Sequence, residues 1–167
     1  MKLETVGALF KALKDENVRY LVAGGLAVVA HGYLRFTADI DLFLDLDRKN
    51  LRAAIAVFKA FGYRPRAPVD IEEFADPEKR GQWVREKGMT VFSLWSPEHT
   101  ATEIDLFIEE PISFEEAYQR RIQLKVTEGV KATIIGLDDL ITLKKRAGRA
   151  QDLHDIEKLS TIREAEK

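Results

Sequence analysis

The chain has 167 residues, 46% of them hydrophobic, a formal net charge of −2 and no cysteine. This length suits one domain with a real core, expected over 1–167. The near-neutral charge gives no electrostatic case for a dedicated nucleic-acid or membrane partner, and the lack of cysteine excludes disulfides, thiolate metal sites and cysteine nucleophiles. His31, His99 and His154 lie far apart and form no HExxH pair, so they read as core or surface histidines rather than ligands. No apolar run approaches the ~20 residues that cross a bilayer, and the start MKLETVGALF lacks a signal-peptide layout; a cytoplasmic protein without a membrane partner is expected.

In chain order, Leu3 to Lys14 spaces Val6, Leu9, Phe10 and Leu13 as the stripe of an amphipathic helix, with Asn17 as its stop. Arg19 to Ala23 reads as a buried strand ended by Gly24-Gly25, and Leu26 to His31 as a short helix closed by Gly32. A loop carrying Arg35 and Thr37 leads to a strand, Asp39 to Leu44, after which Asp47 caps a helix running to Phe61. Tyr63 to Gly88 holds Pro65, Pro68 and Pro77 among many charges, so it reads as loop, with a short helix near Ile71 to Phe74 and a strand around Trp83.

Met89 to Trp95 and Thr102 to Ile108 are strand-like runs close enough to pair as a hairpin. Ser113 and Glu116 have capping-box spacing for a short helix to Tyr118. Ile122 to Thr127 and Lys131 to Ile135 flank a Glu128-Gly129 turn. Asp138 or Asp139 is expected to cap a helix through Ala147, and a last helical pattern runs to about Ile162. The order of elements favours an α/β domain, with a core over about 18–136 and a C-terminal helical segment over 137–162.

Three aspartates stand out chemically. Alternation along a strand puts Asp39 and Asp41 on one face and Ile40 and Leu42 on the other, and the same alternation sets Asp105 opposite Ile104 and Leu106. Gathering carboxylates on neighbouring strands costs stability, which a divalent cation would offset; hard oxygen ligands suit Mg²⁺ or Mn²⁺. Taken singly, each acidic motif also fits the solvated outer face of a half-buried strand. Gly24-Gly25 follows a strand and opens a helix, so its backbone can approach an anion. The residues match neither GxxxxGK[ST] nor GxGxxG, so P-loop and Rossmann readings fail.

Together these residues resemble the DNA polymerase β-like nucleotidyltransferase superfamily, whose core pairs a Gly-Gly or Gly-Ser turn with an acid-x-acid strand and a third acid on a later strand. Here those are Gly24-Gly25, Asp39-Ile40-Asp41 and Asp105, with Gly25 standing where a serine often helps to hold phosphate. GGLAVVAHGYLRFTADIDLFL looks most like small bacterial AbiEii-type nucleotidyltransferases related to toxin–antitoxin systems. The string Lys144 to Asp155 is similar to that group's KxxAxRxxDxxD motif.

The resemblance implies a mixed central β-sheet flanked by helices, with C-terminal helices, and transfer of NMP from an NTP to a hydroxyl acceptor with release of pyrophosphate. It implies Asp39, Asp41 and Asp105 as catalytic metal ligands for Mg²⁺ or Mn²⁺, with Gly24, Gly25, Arg35, Thr37, Lys144 and Asp152 at the nucleotide. The acceptor it implies is RNA, including tRNA, or protein, and it allows a cognate toxin–antitoxin partner. Two other readings stay open: a non-catalytic nucleotide-binding or antitoxin-like regulatory module of the same fold, and a structural α/β domain with solvated acids. Spacing alone also allows Lys144, Arg149 and Asp152 to be ion pairs on a solvated helix.

Overall fold

A computed structural model describes residues 1–167. The elements are α1 (Leu3–Asp15), β1 (Tyr20–Ala23), α2 (Gly24–Ala30), β2 (Asp39–Leu44), α3 (Arg48–Ala60), β3 (Arg64–Pro65), a 3₁₀ turn (Ile71–Ala75), α4 (Pro77–Lys87), β4 (Val91–Trp95), β5 (Glu103–Phe107), α5 (Phe114–Gln119), β6 (Ile122–Thr127), β7 (Val130–Ile134), α6 (Leu137–Ala147) and α7 (Ala150–Ala165). The strands form one seven-stranded mixed sheet in the order β3-β4-β5-β2-β1-β7-β6. It is the expected α/β architecture, a mixed sheet flanked by helices. No helix is long and apolar enough to cross a membrane.

The central strand β1 is buried throughout, paired antiparallel with β2 and parallel with β7, as its unbroken apolar run requires. Strands β2 and β5 are parallel, while β4 and β5, and β6 and β7, are antiparallel hairpins. On one face of the sheet, Phe92 of β4 stacks against Trp83 of α4 at 5.1 Å and Phe74 of the 3₁₀ turn at 4.9 Å, and Tyr20 stacks on Phe10 of α1 at 5.6 Å. Each such large apolar side chain stabilises the fold by roughly 1.5–3 kcal/mol when fully buried. The other face is closed at one end by Phe43, which contacts Phe107 and Phe114. Its other end bears the carboxylates.

Three expectations need correction. Trp83 lies in α4, not in a strand: Asp76 caps the helix by accepting the Glu78 N–H, Pro77 occupies the first turn and Gly88 closes it in the left-handed conformation. Gly24 and Gly25 belong to α2 itself, which therefore begins two residues earlier than its apolar pattern suggests. The residue preceding α6 is Gly136 rather than Asp138 or Asp139, because Asp139 is drawn into a two-point pair with Arg120 at 2.9 Å. At α5, the Ser113 hydroxyl accepts the Glu116 N–H at 3.2 Å as expected.

Candidate active site

The parallel register of β2 and β5 sets Asp41 opposite Asp105 and Asp39 opposite Glu103. The antiparallel register of β4 and β5 then sets Ser93 opposite Asp105. Side chains directly opposite share a face, so Ser93, Asp105 and Asp41 form a row across three strands. The Ser93 hydroxyl donates to Asp105 Oδ1 at 2.6 Å, which leaves Oδ2 of Asp105 without a hydrogen-bond partner.

The repulsion expected from the sequence is present. Burial, then the charges of Asp105 and Asp39, push the Asp41 carboxyl up to about 6, and Lys144 and Arg149 only partly oppose them. Burial, then Asp105, raise Asp39 as well, with Arg66 opposing. No three His, Asp or Glu side chains close into a metal cage. The donor chemistry nevertheless fits a hard cation, because Mg²⁺ commonly takes one or two carboxylates and completes its shell with water and substrate phosphate. A cation beside Asp41 would relieve the unfavourable charge that the fold imposes there.

Glycine at 24 is required by this arrangement. Its φ is +60°, and a Cβ would lie 2.0 Å from Asp41 Oδ2, so the carboxylate occupies the space a side chain would need. At Gly25 a Cβ would lie 2.7 Å from Thr37 Oγ1 and 3.1 Å from Arg35 Nη2. The Thr37 hydroxyl and the Arg35 guanidinium therefore fill the space beside Gly25 that a serine would use in the related motif.

The α6–α7 junction closes the site from the C-terminal side. Lys144 is buried, with Nζ 3.1 Å from Asp152 and 2.9 Å from Asp155, both of which are also buried. Arg35 donates to Asp155 through Nε at 2.9 Å and Nη2 at 2.8 Å, which ties the loop before β2 to α7. Arg149 donates to Asp152 through its backbone N–H at 3.1 Å and Nε at 2.7 Å while most of its side chain stays in solvent. Burial raises both aspartates, but hydrogen bonds from Arg149 and Lys144 to Asp152, and from Arg35, Lys144 and Gln151 to Asp155, outweigh it and leave both below the ordinary value. Three cations against two carboxylates leave one positive charge in excess beside Asp41.

These positions gather every residue singled out from the sequence around one end of β1, β2 and β5. The fold adds Ser93, Arg149 and Asp155. Arg149 and Asp155 fall inside the KxxAxRxxDxxD string, which could have flagged them; Ser93 carries no motif, and only its register with Asp105 reveals it. The histidines lie outside the carboxylate row: His31 pairs with the Ile135 carbonyl, His154 with the Tyr33 hydroxyl, and His99 packs on Tyr63.

A family model described as a nucleotidyltransferase of unknown function (DUF6036) matches residues 1–166. The chain belongs to this family. As a DUF6036 nucleotidyltransferase, it is similar in fold to the lincosamide antibiotic adenylyltransferase LnuA solved with lincomycin (15% identity, TM-score 0.62, covering 97% of this chain and 98% of that one). It is also similar to ANT(2")-Ia solved with adenylyl-2"-tobramycin (14% identity, TM-score 0.57, covering 98% and 95%). TM1012 of Thermotoga maritima shares the fold too (15% identity, TM-score 0.56, covering 95% and 92%). No curated protein matches the chain in sequence. At these identities the neighbours establish the nucleotidyltransferase fold of the DUF6036 chain and nothing finer.

Proposed function

We propose that the protein transfers NMP from an NTP to a hydroxyl acceptor, with release of pyrophosphate. The observation that carries this reading is the register of Asp41 with Asp105, against which the fold brings a glycine pair and a cation-rich helix junction. Asp39, Asp41 and Asp105 would hold Mg²⁺ or Mn²⁺, which when bound neutralises phosphate charge and orients the reacting group. The excess positive charge of the α6–α7 junction faces the triphosphate, with exposed Arg149 as its solvent-facing donor. Lys144 has three N–H donors, two of them engaged by Asp152 and Asp155, and the third is left for phosphate. Asp152 holds Lys144 and Arg149 in place, and Gly24, Gly25, the Thr37 hydroxyl and Arg35 complete the phosphate side.

In the transfer, the acceptor oxygen bonds to the α-phosphorus as the bond from that phosphorus to the α,β-bridging oxygen breaks. The acceptor proton passes to Asp105 Oδ2, which is free because Ser93 fixes the other oxygen. Calorimetric titration of the four NTPs with and without Mg²⁺, followed by label transfer from α-labelled NTP, tests the reading. Tight Mg²⁺-dependent binding that Asp41→Ala abolishes is expected; no such binding by the wild type, or equal binding by the variant, refutes it.

The narrower AbiEii-type likeness, with a cytoplasmic role in a toxin–antitoxin pair, belongs to the same proposal. A regulatory module that docks a protein partner is the second reading. The observation favouring it is an open apolar hollow of about 350 Å³ among Leu3, Phe10, Leu26, Val29 and Leu124, none of the three aspartates lining it. A partner that copurifies in stoichiometric complex with a protein devoid of transfer activity would decide for it.

A further inference from the structure

The carboxylate-bearing face of the sheet continues toward the β3 edge, and there it carries charge and an aromatic ring that the chemistry above leaves unused. Arg64 is opposite Trp95, and the Arg66 N–H donates to the Ser93 carbonyl at 3.0 Å. Trp95 is two residues from Ser93, so its ring stands on the same face as the Ser93–Asp105–Asp41 row. The guanidinium carbons of Arg64 and Arg66 lie 5.5 Å and 6.0 Å from the Trp95 ring centre. Arg66 pairs with Glu103, the residue opposite Asp39, whereas Arg64 is exposed and has no acidic partner. Arg66 also opposes the charge of Asp39, so Arg64 is the cation of this face without an acidic partner.

The carboxylates are therefore flanked on both sides. On the β1 side stand the glycine pair, Arg35 and the α6–α7 cations; on the β4–β3 side stand Trp95, Arg64 and Arg66. In-line displacement puts the attacking oxygen and the leaving pyrophosphate on opposite sides of the reacting phosphorus. With the triphosphate on the helix-lined side, the acceptor must approach over β5, β4 and β3. Trp95, two strands from β2 at the usual spacing, lies about 10 Å from the Asp39–Asp41 strand.

We propose that the Trp95, Arg64 and Arg66 face is the acceptor subsite, and that the acceptor it takes is the hydroxyl end of a single-stranded polynucleotide. An aromatic face stacks any base, and a guanidinium reads a phosphate bidentately, so a ring flanked by two arginines suits a base with its neighbouring phosphate. A polycationic acceptor would meet the unpaired charge of Arg64. The inference rests on the transfer reaction proposed above, but its binding step is measurable without catalysis.

Trp95 and Trp83 are the two tryptophans of the chain, and Trp83 is buried on the opposite face. Titration of a short single-stranded RNA with a free 3′ hydroxyl, in the absence of NTP, should quench Trp95 fluorescence. The quench should vanish in Trp95→Leu, and Arg64→Ala should weaken binding about tenfold and flatten its dependence on log salt by roughly one phosphate contact. In the transfer assay both variants should raise KM for the RNA about tenfold or more, with KM for the NTP unchanged. RNA binding that is absent from the wild type, or indifferent to both substitutions, overturns the assignment even where NTP binding is intact. Transfer to a protein hydroxyl or an aminated sugar in preference to RNA overturns it equally. Failure of Mg²⁺-dependent NTP binding with the RNA quench intact would instead refute the transfer reaction and leave the polynucleotide surface standing.

Discussion

Replacing Asp41 by asparagine should make the ligand-free protein more stable at neutral pH while abolishing nucleotide transfer. Asp41 lies beside Asp39 on its own strand and opposite Asp105 on β5, and it faces Lys144 and Arg149 from the α6–α7 junction and Gly24 at the start of α2. Its carboxyl is pushed from 3.8 to about 6, first by burial and then by the two neighbouring acids. A folded pKa above the unfolded one means that the native state holds the proton to higher pH. The native state is thus unpenalised below about pH 4 and progressively destabilised as pH rises through about 6. The full displacement corresponds to about 3 kcal/mol at pH 8.

Asparagine removes the charge but brings an amide whose donors need partners, so a gain of ~1–3 kcal/mol is expected, or roughly 2–4 °C per kcal/mol in a chain of this size. Urea unfolding at several pH values measures it: the variant should exceed the wild type at pH 8 and converge with it near pH 4. Millimolar Mg²⁺ should raise the wild type and leave the variant unchanged. A variant that is less stable than the wild type at pH 8, or a difference that is flat from pH 4 to 8, would refute the account of charge strain at this strand.

Gly24→Ala places a methyl where Asp41 Oδ2 now sits and forces a left-handed φ on alanine, so transfer should fall at least a hundredfold for a loss of only ~1–2 kcal/mol of stability, read by single-turnover kinetics beside denaturant unfolding. Lys144→Met strips a buried cation from two buried aspartates and should cost ~3–5 kcal/mol in urea unfolding. Trp83→Ala removes a ring stacked on Phe92 on the face away from the acids. It should cost ~3–5 kcal/mol while the surviving folded fraction binds NTP normally, which calorimetry below the melting transition checks.

Strands announce themselves by an apolar run or an apolar face: β1 is readable from its unbroken apolar run, β4 from a strand-like one, and β2 and β5 from the alternation that also sets the three aspartates on their other face. The fourth helix is not so readable. Its eleven residues, PEKRGQWVREK, bury only Arg80 and Trp83, so no apolar stripe marks it, and the burial of Arg80 depends on an acceptor outside the helix, the Phe74 carbonyl of the preceding 3₁₀ turn. Tryptophan's preference for strands and the proline at 77 then both pointed away from helix, although proline is at home in a first turn. The two-residue β3 was hidden for a related reason: Arg64–Pro65 reads as loop, and proline is tolerated there because the strand forms the sheet's edge. The parallel pairing of β2 with β5 joins segments some sixty residues apart, and no local pattern encodes it.

The same non-locality changes the meaning of the Lys144 to Asp155 string. On one helix, lysine and aspartate at short spacing are a solvated pair worth a few tenths of a kcal/mol. Here a glycine break at Gly148 folds α7 back, and the lysine of one helix is enclosed by two aspartates of the next. That enclosure would be costly without further donors, and Arg35 and Arg149 supply them. The consequence is a division of labour. Lys144 and Arg35 spend most of their hydrogen bonds fixing α6, α7 and the loop before β2 against one another, whereas Arg149 keeps its side chain largely in solvent. The buried pairs thus tie α6, α7 and the loop carrying Arg35 and Thr37 together, and in the transfer reaction proposed above the solvent-facing arginine, braced by Asp152, would be the cation that meets the incoming phosphate.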